Sequence, residues 1–356
     1  MRNIFRDVDV GLLAAGLGLI LISGIAMASA ASTINPALAP RHWVWSGLGV
    51  VAAVLVARTN YLRWVDSALV LYLLSVVALI LVHFIGPARL GATRWLSVGS
   101  FSLQPSELAK LSTLLLLAQH LSGQLNPLPL RTLGISALIT GLPAALIFIQ
   151  PDLGSATIIV AIWVGMIVVA GASRRVLSAM LGSVLVLLPF AWHLLKGYQR
   201  DRLLVFINPQ IDPLGTGYTI IQSVIAIGSG QLTGRGWFSG TQNQLSFLPE
   251  RHSDFLFSVI GEEWGLLGCA LVIILFGLML ARTACLGLRS TEPCARLIAA
   301  GIFSWIGYQA FVNMGMVMGA LPVVGVPLPL ISYGGSSMVM VCAALGLLQS
   351  IALRNR

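Results

Sequence analysis

Charged residues are scarce in this sequence, where Asp, Glu, Lys and Arg make up only 9% of 356 residues. A soluble globular protein carries roughly 25%. With 57% hydrophobic residues, the composition excludes a soluble globular enzyme, a disordered chain and a nucleic-acid-binding domain, so no nucleic-acid partner is expected. The net charge of +9 is therefore interpreted against a membrane surface.

Cysteine is also rare, and its positions form no recognisable pattern. The sequence has no CxxC spacing, which a zinc site or a redox motif would show. We expect buried or reduced thiols, with neither a disulfide nor a cysteine-bound metal. The four residues are Cys269, Cys285, Cys294 and Cys342.

Long apolar runs dominate what is present. A bilayer core offers no water to unpaired backbone groups, so these runs must form helices. The sequence predicts an all-α polytopic integral membrane protein, with residues 1–356 as a single membrane domain of about ten transmembrane helices. The first run resembles a signal peptide, but nine further runs favour a retained helix. The predicted spans are 10–31, 43–57, 67–85, 107–122, 133–149, 155–171, 176–195, 255–281, 297–318 and 336–353.

The distribution of Lys and Arg predicts the orientation. With a cytoplasmic N-terminus, twelve cations lie inside and nine outside, and eight of those nine belong to the two longest outer segments or the helix start after them. Long loops cross the membrane largely regardless of charge, so the short loops decide. Both termini are predicted to be cytoplasmic, with one long extracytoplasmic loop, about 196–254, before the eighth span. The outer cations either snorkel to lipid headgroups or hold an anion, and the motifs around them favour the anion.

The first outer cluster contains Arg94 and the run QPSELAK at 104–110. Proline disfavours a helical conformation in the residue before it, and Ser106 is a good N-cap, so a helix is expected to begin here. Glu107 and Lys110 lie three residues apart on one face of that helix. They are either a structural ion pair near the membrane surface or an acid and a cation aimed into a cavity.

A second helix start is the run QPDLGS at 150–155, where Asp152 suits the positive end of a helix. The loop 196–254 is too long for a simple connector, and such loops are usually functional. Its stretch 218–227 has the apolar spacing of an amphipathic helix at the membrane interface. The glycines from 228 to 240 allow either a close approach to a ligand or simply tight turns.

The strongest local feature is the run LPERHSDF at 248–255. Asp254, Ser258 and Glu262 are spaced by four residues and are predicted to share one helical face. A carboxylate within a span is costly and is by default a functional-site hypothesis. Asp254, at the mouth of the span, is therefore predicted to act as a general base.

More ordinary interpretations exist for the same side chains. Asp254 could be an N-cap, with Ser253 as a rival. Glu262 could be a buried partner of Lys110 or of an arginine. His252 could assist Asp254, although a lone histidine in a loop is more often solvated.

The last outer loop, 313–337, is rich in backbone-breaking residues: five of those from 319 to 329 are Gly or Pro. This predicts a broken, re-entrant segment, which is tolerated only where it is buried or lines a cavity. Its end can present backbone N–H groups and hydroxyls to an anion, with Ser332 and Ser336 as the candidate hydroxyls.

These motifs together resemble the SEDS family of polytopic peptidoglycan polymerases, to which RodA, FtsW and SpoVE belong. The runs GTQ at 240–242 and PERH at 249–252 resemble the RodA branch. The motifs follow the family's order along essentially the whole chain. They are Arg94-Trp, the runs at 104–110, 150–154 and 248–255, and the segment 313–337.

The resemblance implies a glycosyltransferase at the outer face of the bacterial cytoplasmic membrane. It would polymerise lipid II into glycan strands during cell elongation and shape maintenance, and release undecaprenyl pyrophosphate. Asp254 would deprotonate the acceptor hydroxyl as that oxygen attacks the donor's anomeric carbon, with inversion. The implied partners are a class B penicillin-binding protein, which is a single-span transpeptidase, the growing glycan strand and membrane lipids.

The resemblance also implies that cations neutralise the leaving pyrophosphate, where negative charge grows in the transition state. Many family members carry an arginine in the stretch that reads SFSL at 100–103 here. Arg200 or Arg202 would take its place. The matching cations are Arg41, Arg94 and Lys110.

Two further acids, Glu107 and Asp152, match family positions in the same polar cavity. By resemblance they would orient these cations or, with Asp254, help to hold a divalent metal such as Mg²⁺ or Mn²⁺. Glu262 and His252 would support the site.

Two other functions stay open on the sequence alone. A flippase for the lipid-linked precursor would also suit ten helices with broken segments. It should carry polar residues along its whole path, whereas here they concentrate in the outer half, apart from Glu262. A scaffold that only activates a partner enzyme would not need Asp254.

Overall fold

The fold is almost entirely helical. The computed structural model describes residues 8–86, 94–98, 101–124, 128–194, 197–213 and 215–354. Over these residues, the helices are α1 (Val10–Ala31), α2 (Leu38–Arg58), α3 (Tyr61–Asp66), α4 (Ala68–Ile85), α5 (Pro105–Ser122), α6 (Leu130–Ile149), α7 (Leu153–Val169), α8 (Arg174–Leu194), α9 (Gly197–Ile207), α10 (Thr216–Ser229), α11 (Thr241–Gln244), α12 (Leu256–Arg289), α13 (Pro293–Val317) and α14 (Gly335–Ala352).

Each of the ten predicted spans coincides with a helix: α1, α2, α4 to α8 and α12 to α14. Among the described residues, α1, α4, α6, α12, α13 and α14 are long and apolar enough to cross a membrane, and α7 is a shorter apolar helix. The polytopic helical architecture is thus confirmed. The exact number of spans, the side on which each terminus lies and the single-domain organisation stay predictions.

The largest boundary error concerns α12, which ends at Arg289 and not near residue 281. The apolar run stops at Arg282, but Ala, Leu and Arg are all good helix formers, so the helix continues. The helix is broken at Gly265, and the part from 266 to 289 is about 36 Å long. This part alone is long enough to cross a hydrocarbon core of about 30 Å.

One short β-hairpin precedes α5 and was not predicted. Strands β1 (Leu96–Val98) and β2 (Phe101–Leu103) pair antiparallel, with Leu96 opposite Leu103. Strands of three residues are too short to show a period-two pattern. The hairpin leads directly into Gln104, which precedes the first residue of α5.

A polar tie joins one end of α1 to α12 and α14. The carboxylate of Asp9 accepts hydrogen bonds from the Leu12 N–H at 2.9 Å and from Nε and Nη2 of Arg282 at 3.0 and 2.8 Å. The backbone N–H of Asp9 donates to Oε1 of Gln349 at 3.0 Å, and Nε2 of Gln349 donates back to the Asp9 carbonyl at 2.8 Å. A buried acid is thus fully partnered, as burial requires.

The segment between α13 and α14 is non-helical, and most of it is buried or half-buried. Its predicted re-entrant path in the membrane stays a prediction. Two of its carbonyls accept hydrogen bonds from side chains of α13. Nε2 of Gln309 donates to the Pro327 carbonyl at 2.7 Å, and Nδ2 of Asn313 donates to the Val326 carbonyl at 2.7 Å. These bonds explain how irregular backbone is tolerated inside a membrane protein.

The long loop contains more regular structure than a connector would. The amphipathic stretch predicted at 218–227 lies within α10, which packs against α12. Oγ of Ser223 and Oγ of Ser258 lie 2.8 Å apart across this contact. The loop is therefore folded onto the helical bundle.

Candidate active site

Asp254 lies in the last residues before α12, at the position that the sequence placed at the mouth of a span. Its backbone N–H donates to the Glu250 carbonyl at 3.2 Å, and its carbonyl accepts from Nδ2 of Asn313 at 2.9 Å. Within the described part of the chain, the hydrogen bonds of Asp254 are made by its backbone. Its half-buried carboxylate therefore remains available to a ligand.

The alternative interpretation of Asp254 and Ser253 as helix caps is wrong, because Phe255 occupies the N-cap position of α12. The predicted shared face of Asp254, Ser258 and Glu262 is wrong for the same reason. Asp254 precedes the helix, so the spacing of four residues does not apply to it.

Opposing charges surround the Asp254 carboxylate. Burial raises the pKa of Asp254 to about 6, and the nearby carboxylates of Glu250 and Asp152 act in the same direction. The guanidinium groups of Arg202 and Arg94 lower it. An acid with this pKa is largely ionised at neutral pH and binds a proton readily, which suits a general base.

Three of the predicted site residues thus surround Asp254: Arg94, Asp152 and Arg202. Glu250 joins them, although the sequence did not single it out as a site residue. Arg200, the other predicted substitute cation, donates from Nη2 to the His193 carbonyl at 3.0 Å. Arg202, and not Arg200, is among the groups that act on the pKa of Asp254.

The start of α7 holds Arg94 and Asp152 together. Nε of Arg94 donates to the Gln150 carbonyl at 3.2 Å, and its Nη2 donates to the Pro151 carbonyl. Asp152 is the N-cap of α7 and accepts from the Ser155 N–H at 3.2 Å, as its place in the sequence predicted. The helix start therefore fixes a cation and an acid beside Asp254.

Glu107 and Lys110 form a buried ion pair. Nζ of Lys110 lies 2.8 Å from Oε1 of Glu107, with 1% and 2% of their side chains exposed, and 5.2 Å from the centre of the Trp305 ring. Oε2 of Glu107 has no hydrogen-bond partner among the described residues. The pairing favours the structural interpretation, and the substrate-binding role of the two residues stays a prediction.

The start of α5 differs from its prediction by two residues. Gln104 and not Ser106 is the N-cap, and no side chain caps this helix. Oγ of Ser106 is buried without a partner among the described residues. Because the helix already begins at Pro105, Ser106 lies inside the first turn, where its hydroxyl cannot cap the helix.

The two serines that follow the predicted re-entrant segment use their hydroxyls within the fold. Oγ of Ser332 accepts from the Leu328 N–H at 2.8 Å. Oγ of Ser336 accepts from the Gln104 N–H at 3.1 Å and donates to the Ser102 carbonyl at 3.2 Å. Their proposed contact with an anion stays a prediction.

Tyr333 connects Arg41 with the Asp254 region. Its N–H donates to the His252 carbonyl at 2.9 Å, and the two rings lie 6.0 Å apart. Burial raises the pKa of Tyr333, and the nearby charge of Arg41 partly offsets this effect. Arg41 itself is exposed. The structure therefore places it at the edge of the same region.

His252 lies beside Asp254 in the chain, and its Nε2 is 3.9 Å from Oε2 of Glu250. Burial lowers the pKa of His252; the charge of Glu250 raises it, and that of Arg251 lowers it further. The imidazole of His252 is therefore neutral at neutral pH. The supporting role predicted for His252 stays a prediction.

Glu262 does not pair with Lys110. Its carboxylate accepts from the backbone N–H groups of Gln242 at 2.8 Å and Asn243 at 3.2 Å, so it stabilises the start of α11. The neighbouring Glu263 accepts from Nδ2 of Asn243 at 2.9 Å. Both carboxylates are structural partners of the long loop.

Arg251 is the residue that sequence reasoning missed. It is fully buried, and its Nε donates to the Ala30 carbonyl at 3.0 Å, while its other nitrogens donate to the Asn243 carbonyl and to Oγ1 of Thr33. The partners at the end of α1 are about 220 residues away in the sequence, whereas Asn243 in α11 is close to Arg251. Arg251 thus fixes the segment that carries Asp254 against α1.

The three acids suggested for a divalent metal do not form one donor set. Glu107 pairs with Lys110, and Asp152 caps α7. Among the described residues, no three His, Cys, Asp or Glu side chains come together in a way that could hold a metal ion. Glu107 therefore does not join the other two acids, and the predicted Mg²⁺ or Mn²⁺ stays a prediction, because such an ion usually binds one or two carboxylates together with substrate phosphates.

Comparison with known proteins identifies clear relatives. A sequence model of FtsW, RodA and SpoVE, described as a cell cycle protein, matches residues 7–356. Peptidoglycan glycosyltransferase MrdB of Escherichia coli K12 is 39% identical over 305 residues, which are 85% of this chain and 82% of that protein. Peptidoglycan glycosyltransferase RodA of Treponema pallidum is 32% identical, and the match covers 88% of this chain and 89% of that protein.

Solved structures agree with these sequence matches. One similar chain comes from a structure on the coordination of polymerization and crosslinking by a peptidoglycan synthase complex. It has a TM-score of 0.84 and 37% identity, over 97% of both chains. The rod shape determining protein RodA of Thermus thermophilus has a TM-score of 0.74 and 30% identity, over 98% of this chain and 97% of that one.

Proposed function

This chain belongs to the FtsW, RodA and SpoVE family and is a multi-pass protein of the bacterial inner membrane, and on that premise we propose that it is a peptidoglycan glycosyltransferase. It polymerises lipid II into glycan strands at the outer face of the membrane during cell elongation. Each transfer releases undecaprenyl pyrophosphate. The names of the MrdB and RodA relatives support the reaction class.

The observation that carries this proposal is the Asp254 carboxylate, half-buried, available to a ligand and flanked by Arg94 and Arg202. The carboxylate accepts the proton of the acceptor hydroxyl as that oxygen forms a bond to the donor's anomeric carbon. The bond from this carbon to the diphosphate oxygen breaks on the opposite side. The anomeric centre is therefore inverted, and the diphosphate leaves with the electron pair.

Cations stabilise the leaving diphosphate. Nε and Nη2 of Arg94 donate hydrogen bonds to backbone carbonyls. Further N–H groups of its guanidinium can therefore bind an anion. Arg202 and Arg41 add positive charge at the edges of the same region. Fixed charges that face the departing group lower the barrier because they need no reorganisation during the reaction. Lys110 contributes from its buried pair with Glu107.

A class B penicillin-binding protein is the proposed partner. The synthase complex that contains the similar chain couples polymerization with crosslinking, according to its description. A transpeptidase bound to this chain would crosslink the strand as it forms. The assay of the purified protein therefore includes that partner.

The defining test is a product assay with the purified protein, its transpeptidase partner and lipid II. We expect glycan strands, separated by size on a gel. A flippase would give no strands, but would move labelled lipid II across the bilayer of proteoliposomes. Transport without any polymer would therefore contradict the proposal.

The pH dependence of polymerisation provides a second prediction. Since Asp254 must be ionised to accept a proton, the rate is expected to rise with pH through about 6, the pKa to which burial and Glu250 raise this acid. Glu250→Gln removes a neighbouring negative charge, so the pKa of Asp254 falls and the rising limb moves to lower pH. Initial rates between pH 5 and pH 8 measure both profiles.

The matched control for this shift is Glu292→Gln, because Glu292 is exposed and precedes α13. Its profile is expected to coincide with that of the wild type. If the rising part of the pH–rate profile does not move in the Glu250→Gln variant, it does not report the ionisation of Asp254.

A further inference from the structure

The long loop presents an apolar surface next to α12. Trp237 and Phe238 are 52% and 42% exposed, and their rings lie 4.8 Å apart. Leu232, in the same loop, is exposed beside Leu266 and Leu267 of α12. We call these five residues the aromatic edge. Arg235 is the one charged residue between positions 230 and 249, so this part of the loop lacks the charges of a solvated connector.

The aromatic edge lies inside the length of α1 and beside the break in α12. Nε1 of Trp237 donates to the Ile25 carbonyl at 3.2 Å. Ile25 precedes the last residue of α1 by six positions, which is about 9 Å along the helix. Leu266 directly follows the break in α12, at the start of the unbroken part that runs to Arg289. Both helices are apolar enough to cross a membrane.

The loop can lie at this depth because its backbone is paired with a break in α12. The break is at Gly265, which has a φ of 65°. The N–H groups of Arg235 and Gly236 donate to the carbonyls of Glu262 and Glu263, both at 3.0 Å. In return, the Leu266 N–H donates to the Gln231 carbonyl at 2.8 Å, and the Leu267 N–H to the Leu232 carbonyl at 3.1 Å.

The glycines of this loop approach the chain's own helix, which decides between the two interpretations left open by the sequence. Gly234 has a φ of 82°, and a Cβ there would lie 2.1 Å from the Glu263 carbonyl oxygen. A side chain at this position would separate the loop from α12. The glycines therefore serve close packing of the backbone against the helix break.

We propose that the aromatic edge is embedded in the bilayer leaflet on the side of Asp254, with lipid acyl chains as its occupant. Hydrocarbon excludes backbone with unpaired polar groups, and four hydrogen bonds to α12 remove that obstacle here. Ile25 and Leu271, on helices that are apolar enough to cross a membrane, are also exposed. Aromatic side chains are enriched at the membrane interface.

The test uses nitroxide spin labels in lipid nanodiscs, in a background with the four native cysteines replaced by alanine. Labels are placed through Trp237→Cys and Leu232→Cys. The lipid-facing reference is Leu267→Cys, and the water-facing reference is Glu250→Cys. Power saturation then compares collisions with oxygen, which concentrates in hydrocarbon, with those of a nickel chelate, which stays in water.

Labels at 232 and 237 are expected to show a several-fold excess of oxygen over nickel collisions, as at 267, with the opposite ratio at 250. Two labels keep the test valid if loss of the Trp237 hydrogen bond disturbs one of them. A nickel excess at both positions would overturn the proposal. So would a large fall in oxygen collisions on adding the purified transpeptidase, since the occupant would then be protein. Neither outcome bears on glycan synthesis.

Discussion

Asp254→Asn is expected to lower the rate of glycan polymerisation by about 10²- to 10⁴-fold, the range that positioned general acid–base groups contribute. The amide keeps the shape of the side chain but cannot accept the hydroxyl proton as a carboxylate does. The fold should be unaffected, because the described hydrogen bonds of Asp254 are made by its backbone. Initial rates and thermal unfolding in the same detergent measure both effects.

The unfolding temperature of this variant is expected to match or exceed that of the wild type. Burial raises the pKa of Asp254, so the ionised acid is less favourable in the folded protein than in the unfolded chain at neutral pH. Asp201→Asn, at an exposed position of α9, is the control and should retain normal rates. An Asp254→Asn protein that polymerises normally would show that this acid is not the base, as a pure scaffold requires.

Lys110→Met is expected to reduce the free energy of unfolding by about 3–5 kcal/mol, the usual cost of removing one partner from a buried ion pair. Glu107 would stay buried without its cation, since only 2% of its side chain is exposed. Polymerisation is expected to be lost as well. Denaturant or thermal unfolding measures the first effect, and the lipid II assay measures the second.

A double variant separates the two contributions of Lys110. Glu107→Gln combined with Lys110→Met removes both charges, so much of the stability should return. We expect activity to stay low, because the proposed function counts Lys110 among the cations that stabilise the diphosphate. Recovery of activity together with stability would instead make the pair purely structural. Arg174→Met, at an exposed position at the start of α8, should change neither quantity.

The sequence was sufficient to predict the helices because the membrane imposes one requirement on the backbone. Apolar runs must pair their own backbone groups, so each of the ten runs coincides with a helix. Local signals also worked where one residue decides the structure, as with Asp152 at the start of α7. They failed for Ser106 and Asp254, where a shift of one or two residues in the helix start changes what a side chain can do.

The surroundings of Asp254 were only partly accessible from the sequence. Arg94, Asp152 and Arg202 stood out because charges are rare in an apolar chain, and the structure gathers them around Asp254. Arg251 looked like an ordinary loop cation. Its burial depends on carbonyls at the end of α1 and in α11, and no local pattern reports contacts between segments about 220 residues apart.

The tie around Asp9 has a mechanical consequence for the site. It clamps α1, α12 and α14 together at one end, whereas Arg251 attaches the Asp254 segment to the opposite end of α1. Helix α1 has 22 residues, so about 33 Å separate its Asp9 end from the end that Arg251 contacts. A tilt of α1 by about 2° about its Asp9 end displaces its other end by about 1 Å. A misplacement of this size can lower the rate of an enzyme about 100-fold. Loss of the Asp9 hydrogen bonds is therefore expected to move the segment that carries Asp254, through its contact with α1 at Arg251.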